Sequence, residues 1–143
     1  MKKVYEKKLS LPYYLTDHNS SLKTSSILRL LTNLSLEQSR DLIKAGNQEE
    51  KDIWVIYRWN IEIIDLPKAH ENIKISTWAV SFKSFYGYRN FEISRRNKIL
   101  VKAKSQWLLL NKRKGKILRI PKKYGQMLGS SSDESITDEK IIY

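Results

Sequence analysis

The sequence has no cysteine, and among its 143 residues there are only three prolines, five glycines and two histidines. Without cysteine there is no disulfide framework, no thiolate metal site and no cysteine nucleophile. Two histidines alone do not supply the ligand set of a zinc-type site, so neither a metal nor another cofactor is expected. Acidic residues are also scarce: 15 Asp and Glu stand against 27 Lys and Arg, a formal net charge of +12. No apolar run is long enough to span a bilayer, and the opening MKKVYEKKLSLPYY lacks the apolar stretch of a signal peptide. A cytoplasmic location is the expectation, and the lack of cysteine suits it.

What is present is enough for one core. The hydrophobic fraction is 41%, which argues against global disorder, and the length fits a single domain. Residues 1–125 read as that domain. Residues 126–143, polar, acidic and serine-rich, read as a tail or linker. The positive excess is concentrated: from Arg89 to Lys123 there are thirteen Lys or Arg and one acid, Glu92. Such a field attracts an acidic partner, whether nucleic acid, an anionic membrane or an acidic protein, or it is simply a solvated basic face. No RNP, KH or zinc signature accompanies it, so nucleic acid ranks last.

Hydrophobic spacing gives the elements. An edge strand falls within residues 2–15, followed by a polar break at Asp17–Ser21. A long helix is predicted from about Leu22 to Ala45, with Ile27, Leu30, Leu31, Leu34, Gln38 and Leu42 on one stripe. Ser20 or Ser21 is the expected cap and Gly46 the expected stop. Gln38 interrupts the stripe, either as a buried polar group near a ligand or as the stripe's edge. Strands are then expected at Ile53–Ile64, Ile73–Phe82, Phe85–Arg95, Ile99–Leu110 and Ile117–Ile120. In the first of these both faces begin apolar, as in a strand buried on both sides at one end. A strand, a long helix and consecutive antiparallel strands make an α+β architecture.

The central stretch carries a resemblance. Trp54-Val55-Ile56-Tyr57-Arg58, then Ile61-Glu62-Ile63 and Pro67, is followed by Ile73-Lys74-Ile75-Ser76-Thr77-Trp78. Tyr88-Arg89-Asn90-Phe91, Ser105-Gln106-Trp107, Leu109 to Lys112 and Ile120-Pro121 come next in order. This ordered set resembles the first domain of acyl-acyl-carrier-protein thioesterases, from about Tyr5 to Lys123. The resemblance implies a hotdog fold, a long helix wrapped by a curved antiparallel sheet. It also implies hydrolysis of the thioester joining a fatty acyl chain to the phosphopantetheine arm of acyl carrier protein, the step that ends fatty-acid synthesis. In that family each chain carries two hotdog domains and the catalytic histidine motif lies in the second. This chain is therefore expected to be the substrate-binding half, and the other reading is a noncatalytic acyl- or carrier-protein-binding module.

Candidate residues follow from both readings. Ile27, Leu31, Leu34, Gln38, Trp54, Ile56, Trp78 and Trp107 are candidates for the wall of an acyl slot, set against the plainer reading that most are core. Arg89, Arg95, Arg96, Lys112, Arg113 and Lys114 are candidates for docking the acidic carrier protein. The only catalytic candidates are Asp17, as a base, and His18 beside it. At the helix start, where single-domain hotdog thioesterases often have a Gly-His pair and two Asn, this chain has Leu22-Lys23 and Ser25-Ser26. Asp17 and His18 therefore read first as a turn leading into the helix. A homodimer, or a second hotdog domain beside this one, is expected to cover the apolar surface that one helix leaves.

Overall fold

The structure is a computed structural model, and it describes residues 4–44, 52–122 and 124. The strands are β1 (Tyr5–Ser10), β2 (Asp52–Ile63), β3 (Asn72–Lys83), β4 (Tyr86–Arg95), β5 (Lys98–Asn111) and β6 (Lys116–Leu118), with one long helix, α1 (Thr24–Lys44), between β1 and β2. All pairings are antiparallel, in the order β1-β3-β4-β5-β2, with β6 also pairing β5. This is the expected hotdog arrangement, a curved sheet around one helix. β4 leaves β5 after the Tyr86–Leu108 pair, and β6 joins β5 at Leu109–Asn111, the part of β5 that lies beyond β4.

Two local expectations change. The first strand is shorter than its apolar pattern, because Pro12 leads into a 3-10 turn at Tyr13–Leu15 instead of more sheet. The helix starts at Thr24 without Ser20 or Ser21 as its cap. Ser20 has φ 59 and Ser21 Oγ is held by the Lys68 ammonium, while the first helical carbonyl is that of Lys23, which accepts from Ser26 and Ile27. The expected stop at Gly46, the loop 47–51 and the tail 126–143 lie outside the described residues.

The core lies between α1 and the sheet. Ile27, Leu31 and Leu34 from the helix pack on Ile73, Ile75, Phe91, Ile93, Val101, Ala103 and Trp107. On β3, β4 and β5 the odd-numbered positions up to the bulges supply this inward row, as the two-residue period requires. β2 obeys a different count. Its pairing with β5 slips between Ile56 and Arg58, and one extra residue in a strand turns every later side chain over. Trp54 and Ile56 face the core before the bulge, and Trp59 and Ile61 after it. The two apolar faces read from the sequence are thus one inward face crossed by a bulge, and not a strand buried on both sides.

The β4–β5 hairpin closes at Arg96 and Asn97, both at positive φ (51 and 63), the geometry of a two-residue turn matched to strand twist. At the other end of the sheet Tyr124, fully buried, meets Trp54 edge-on with centroids 5.4 Å apart. The single helix has to seal the inward row, so its stripe carries much of the stability. Leu31→Ala removes a side chain that is 0% exposed at the centre of this contact. It is expected to cost about 3 kcal/mol in urea unfolding, the usual scale for a buried leucine. A loss below about 1 kcal/mol would mean that the helix is not the lid of this core.

Candidate functional site

The inward row is not filled along its whole length. Toward the C-terminal half of α1, a narrow cleft of about 30 Å³ separates helix from sheet. Ser35, Leu36, Gln38 and Ser39 line it from the helix. Trp54 of β2, Ala79 and Phe82 of β3, Gly87 and Arg89 of β4 and Trp107 of β5 line it from the sheet. That is room for a water molecule or two, well short of the roughly 300–1,000 Å³ of small-ligand pockets. The walls are mostly aromatic and aliphatic. Three wider hollows lie over more polar surface, lined by such residues as Glu62, Lys102, Lys74 and Asn97.

Gly87 lets the rings of Phe82 and Trp54 close on the strand backbone at the cleft. A Cβ there would stand 3.2 Å from the Phe82 ring and 3.3 Å from the Trp54 ring, so a side chain at this strand position would push into both. Trp107 opposite it in the ladder is held in place, its indole N–H donating to Ser105 Oγ at 2.7 Å. Polar groups sit among these walls. Arg89 is paired across the sheet with Ala79 and Ser105, two positions before Phe91 on the same inward row. Its guanidinium donates to Thr77 Oγ1 at 3.1 Å. Burial pulls the guanidinium down to about 10, which still leaves it charged at neutral pH.

The eight expected wall residues divide four ways. Gln38, Trp54 and Trp107 line the cleft. Ile27, Leu31 and Leu34 are core, at 0%, 0% and 2% exposure, and Ile56 packs against that core half-buried. Trp78 is on the other face of the sheet, clustered with Val80 and Tyr88. Its even number in β3, beside inward Ile75 and Thr77, already pointed there. Ser35, Phe82, Gly87 and Arg89 are cleft residues not expected from the sequence as wall residues. Counting back by twos from Phe91 would have found Arg89.

The six basic candidates do not form one patch. Arg89 lies half-buried on the inward row of β4. Arg95 and Arg96 lie at the β4–β5 turn, where Arg95 bonds Glu71 at 2.9 Å and approaches Asp65 at 3.6 Å. Lys112, Arg113 and Lys114 lie beyond the other end of β5, which as a strand of 14 residues separates the groups by roughly 40 Å of chain. These three are exposed, in a turn built on Asn111. Asn111 Oδ1 accepts from the Arg113 and Lys114 N–H groups at 3.1 Å each, and Gly115 closes the turn at φ 62. That end of the sheet is the end with the cleft.

Asp17 and His18 lie at the opposite end of the helix. Asp17 Oδ1 accepts the N–H groups of Asn19 (2.8 Å) and Ser21 (3.1 Å), and these bonds hold its carboxyl below its ordinary value. His18 is exposed. Some 11 helical residues separate Thr24 from Ser35, about 16 Å of rise, so neither side chain reaches the cleft. Among the described residues no cluster of His, Asp and Glu suited to a metal is present, and no helix is long and apolar enough to cross a membrane.

A helix in a curved antiparallel sheet defines a hotdog domain. The chain belongs to the family of acyl-ACP thioesterase N-terminal domains, whose model matches residues 2–128. It is similar in fold to a 12:0-ACP thioesterase from Umbellularia californica (TM-score 0.76, 16% identity), covering 98% of this chain and 58% of that one. An acyl-ACP thioesterase from Bacteroides thetaiotaomicron gives TM-score 0.76 and 20% identity, with the same coverages of 98% and 58%. A Lactobacillus plantarum protein provisionally assigned as an oleoyl thioesterase gives 0.80 and 19%, with coverages of 95% and 59%. The chain thus spans less than two thirds of each of these structures. No curated protein matches the sequence.

The Asp17 turn makes a prediction about acid. A carboxyl held below its ordinary 3.8 stabilises the fold above that pH, and the contribution is lost as pH falls through the lower folded value. Asp17→Asn removes the titration. The stability gap between wild type and Asp17→Asn, from urea unfolding, should therefore narrow between about pH 7 and about pH 3. A gap that widens toward acid would contradict the turn role.

Proposed function

We propose that this chain is the substrate-binding hotdog domain of an acyl-ACP thioesterase, with the cleft between α1 and the sheet as its acyl slot. The observation that carries the proposal is the narrow, mainly apolar cleft in the inward row, walled by Trp54, Phe82 and Trp107, with the rings of Trp54 and Phe82 closed over Gly87. A saturated chain entering it parts α1 and the rings from one another and gains contact with Leu36, Trp54, Phe82 and Trp107, at about 0.8 kcal/mol per buried methylene. The family implies acyl carrier protein as the donor of that chain. Lys112, Arg113 and Lys114 stand at the cleft's end of the sheet and suit an acidic carrier, whereas Arg95 is already engaged with Glu71 and Asp65.

Hydrolysis is assigned to a second hotdog domain working beside this one, joined in the same chain or supplied by another copy. Asp17 and His18 are assigned to the helix-leading turn. The chain alone should release fatty acid from acyl carrier protein very slowly, and Asp17→Ala and His18→Ala should not change that rate. Fast turnover that Asp17→Ala abolishes would move the active site to the turn.

The slot is tested by titrating S-acyl pantetheine while following tryptophan fluorescence. Gly87→Val should weaken binding by at least about tenfold, roughly 1.4 kcal/mol, because its side chain displaces the Phe82 and Trp54 rings that wall the cleft. Unchanged affinity would place the acyl chain elsewhere. Docking is tested separately with acyl carrier protein. Binding should fade as salt rises. The triple change Lys112→Glu, Arg113→Glu, Lys114→Glu should remove it, and the pair Arg95→Glu, Arg96→Glu should leave it nearly intact. The reverse pattern would put the carrier at the far end of the sheet.

A further inference from the structure

The cleft holds more polar chemistry than a slot for plain hydrocarbon needs. A guanidinium has several N–H donors in a rigid fork, and among the described residues Thr77 Oγ1 is the only acceptor that meets those of Arg89. Burial is the sole influence on its charge, with no carboxylate contributing. Across the cleft on α1, Gln38 Oε1 and Ser35 Oγ are buried and have no hydrogen-bond partner among the described residues, Ser35 being only 9% exposed. All three side chains line the same space. A half-buried cation with spare donors and buried oxygens with nothing to bind both cost stability. Contact with methylene groups recovers none of that cost. A ligand group that offers an oxygen to Arg89 and an N–H or O–H to Gln38 recovers both.

We infer that this cleft recognises a hydrogen-bonding group set in an otherwise apolar ligand, with an oxygen accepting from Arg89 and an adjacent N–H or O–H donating to Gln38 Oε1. The inference rests on the acyl-slot reading and deepens it. Two sources carry this chemistry: a secondary amide of the pantetheine arm, or a hydroxyl on the acyl chain. Trp54, Phe82 and Trp107 then grip the apolar part, and Arg89 and Gln38 set which ligands are preferred.

The test uses the full chain and four probes: methyl octanoate, its 3-hydroxy derivative, its terminal-hydroxy derivative and S-octanoyl pantetheine. Trp54 and Trp107 report binding by fluorescence. At least one polar probe should bind about tenfold more tightly than methyl octanoate, the scale of one or two satisfied hydrogen bonds to a charged group. In Gln38→Leu and in Arg89→Met that ratio should fall toward one. Circular dichroism checks that each variant folds, and Gln38→Leu, at a half-buried helix position, decides the matter if Arg89→Met does not fold. A gain confined to S-octanoyl pantetheine assigns the amide; a gain confined to a hydroxylated ester assigns the chain. Equal affinity for all four probes, or a ratio unchanged in the folded variants, overturns the inference and leaves the acyl slot standing. If no probe binds, the slot reading falls together with it.

Discussion

The fold depends on one constraint: a single helix must cover the inward row of a long antiparallel sheet. Ile27, Leu31 and Leu34 do this over Ile75, Phe91, Ile93, Val101 and Ala103, where the fit is complete and exposure is near zero. Farther along, the helix stripe passes from leucine to Ser35 and Gln38 while the sheet row passes from Ala103 to Ser105, and from Phe91 to Arg89. Both surfaces become smaller or more polar over the same stretch. The cleft is the consequence. It is a property of where the core stops being a core, and Gly87 is the point on which the Trp54 and Phe82 rings converge.

The same geometry divides the charged surface. A hotdog sheet has two ends, and β5 runs the whole way between them. One end holds the helix start, the Asp17 turn and the Glu71–Arg95 pair. The other holds the cleft, the helix C-terminal half and the Lys112–Lys114 turn. A net charge of +12 says only that acidic partners are attracted. Which end they meet depends on which cations are already neutralised. Arg95 is paired with acids, whereas Lys112, Arg113 and Lys114 have no ion pair among the described residues.

Much of this was legible in the sequence. The order of elements and most strand limits agree to within a residue or two, because β3, β4 and β5 keep a two-residue period up to their bulges and α1 a helical one. What was not legible depends on partners across the sheet. The bulge at Ile56–Arg58 leaves no local mark, since tryptophans and isoleucines stand on both sides of it, and only the register against β5 reveals the turnover. Arg89 looked like part of a basic run because counting charges ignores faces; its alternation with Phe91 and Ile93 contained the opposite answer. Trp78 was chosen by size, while its parity in β3 sets it on the other face, with Val80 and Tyr88. The separation of the two basic groups needed the length of β5 as a strand.

The central claim is that the acyl chain lies between α1 and the sheet, and photo-crosslinking tests it most directly. An S-acyl pantetheine with a diazirine at the end of its chain, irradiated with the full protein and mapped by mass spectrometry, reports where the chain sits. The account requires label on the α1 segment around Ser35 to Ser39 or on the strand positions around Trp54, Phe82 and Trp107. Label concentrated around Trp78, Glu92 and Lys102, on the opposite face of the sheet, would contradict it.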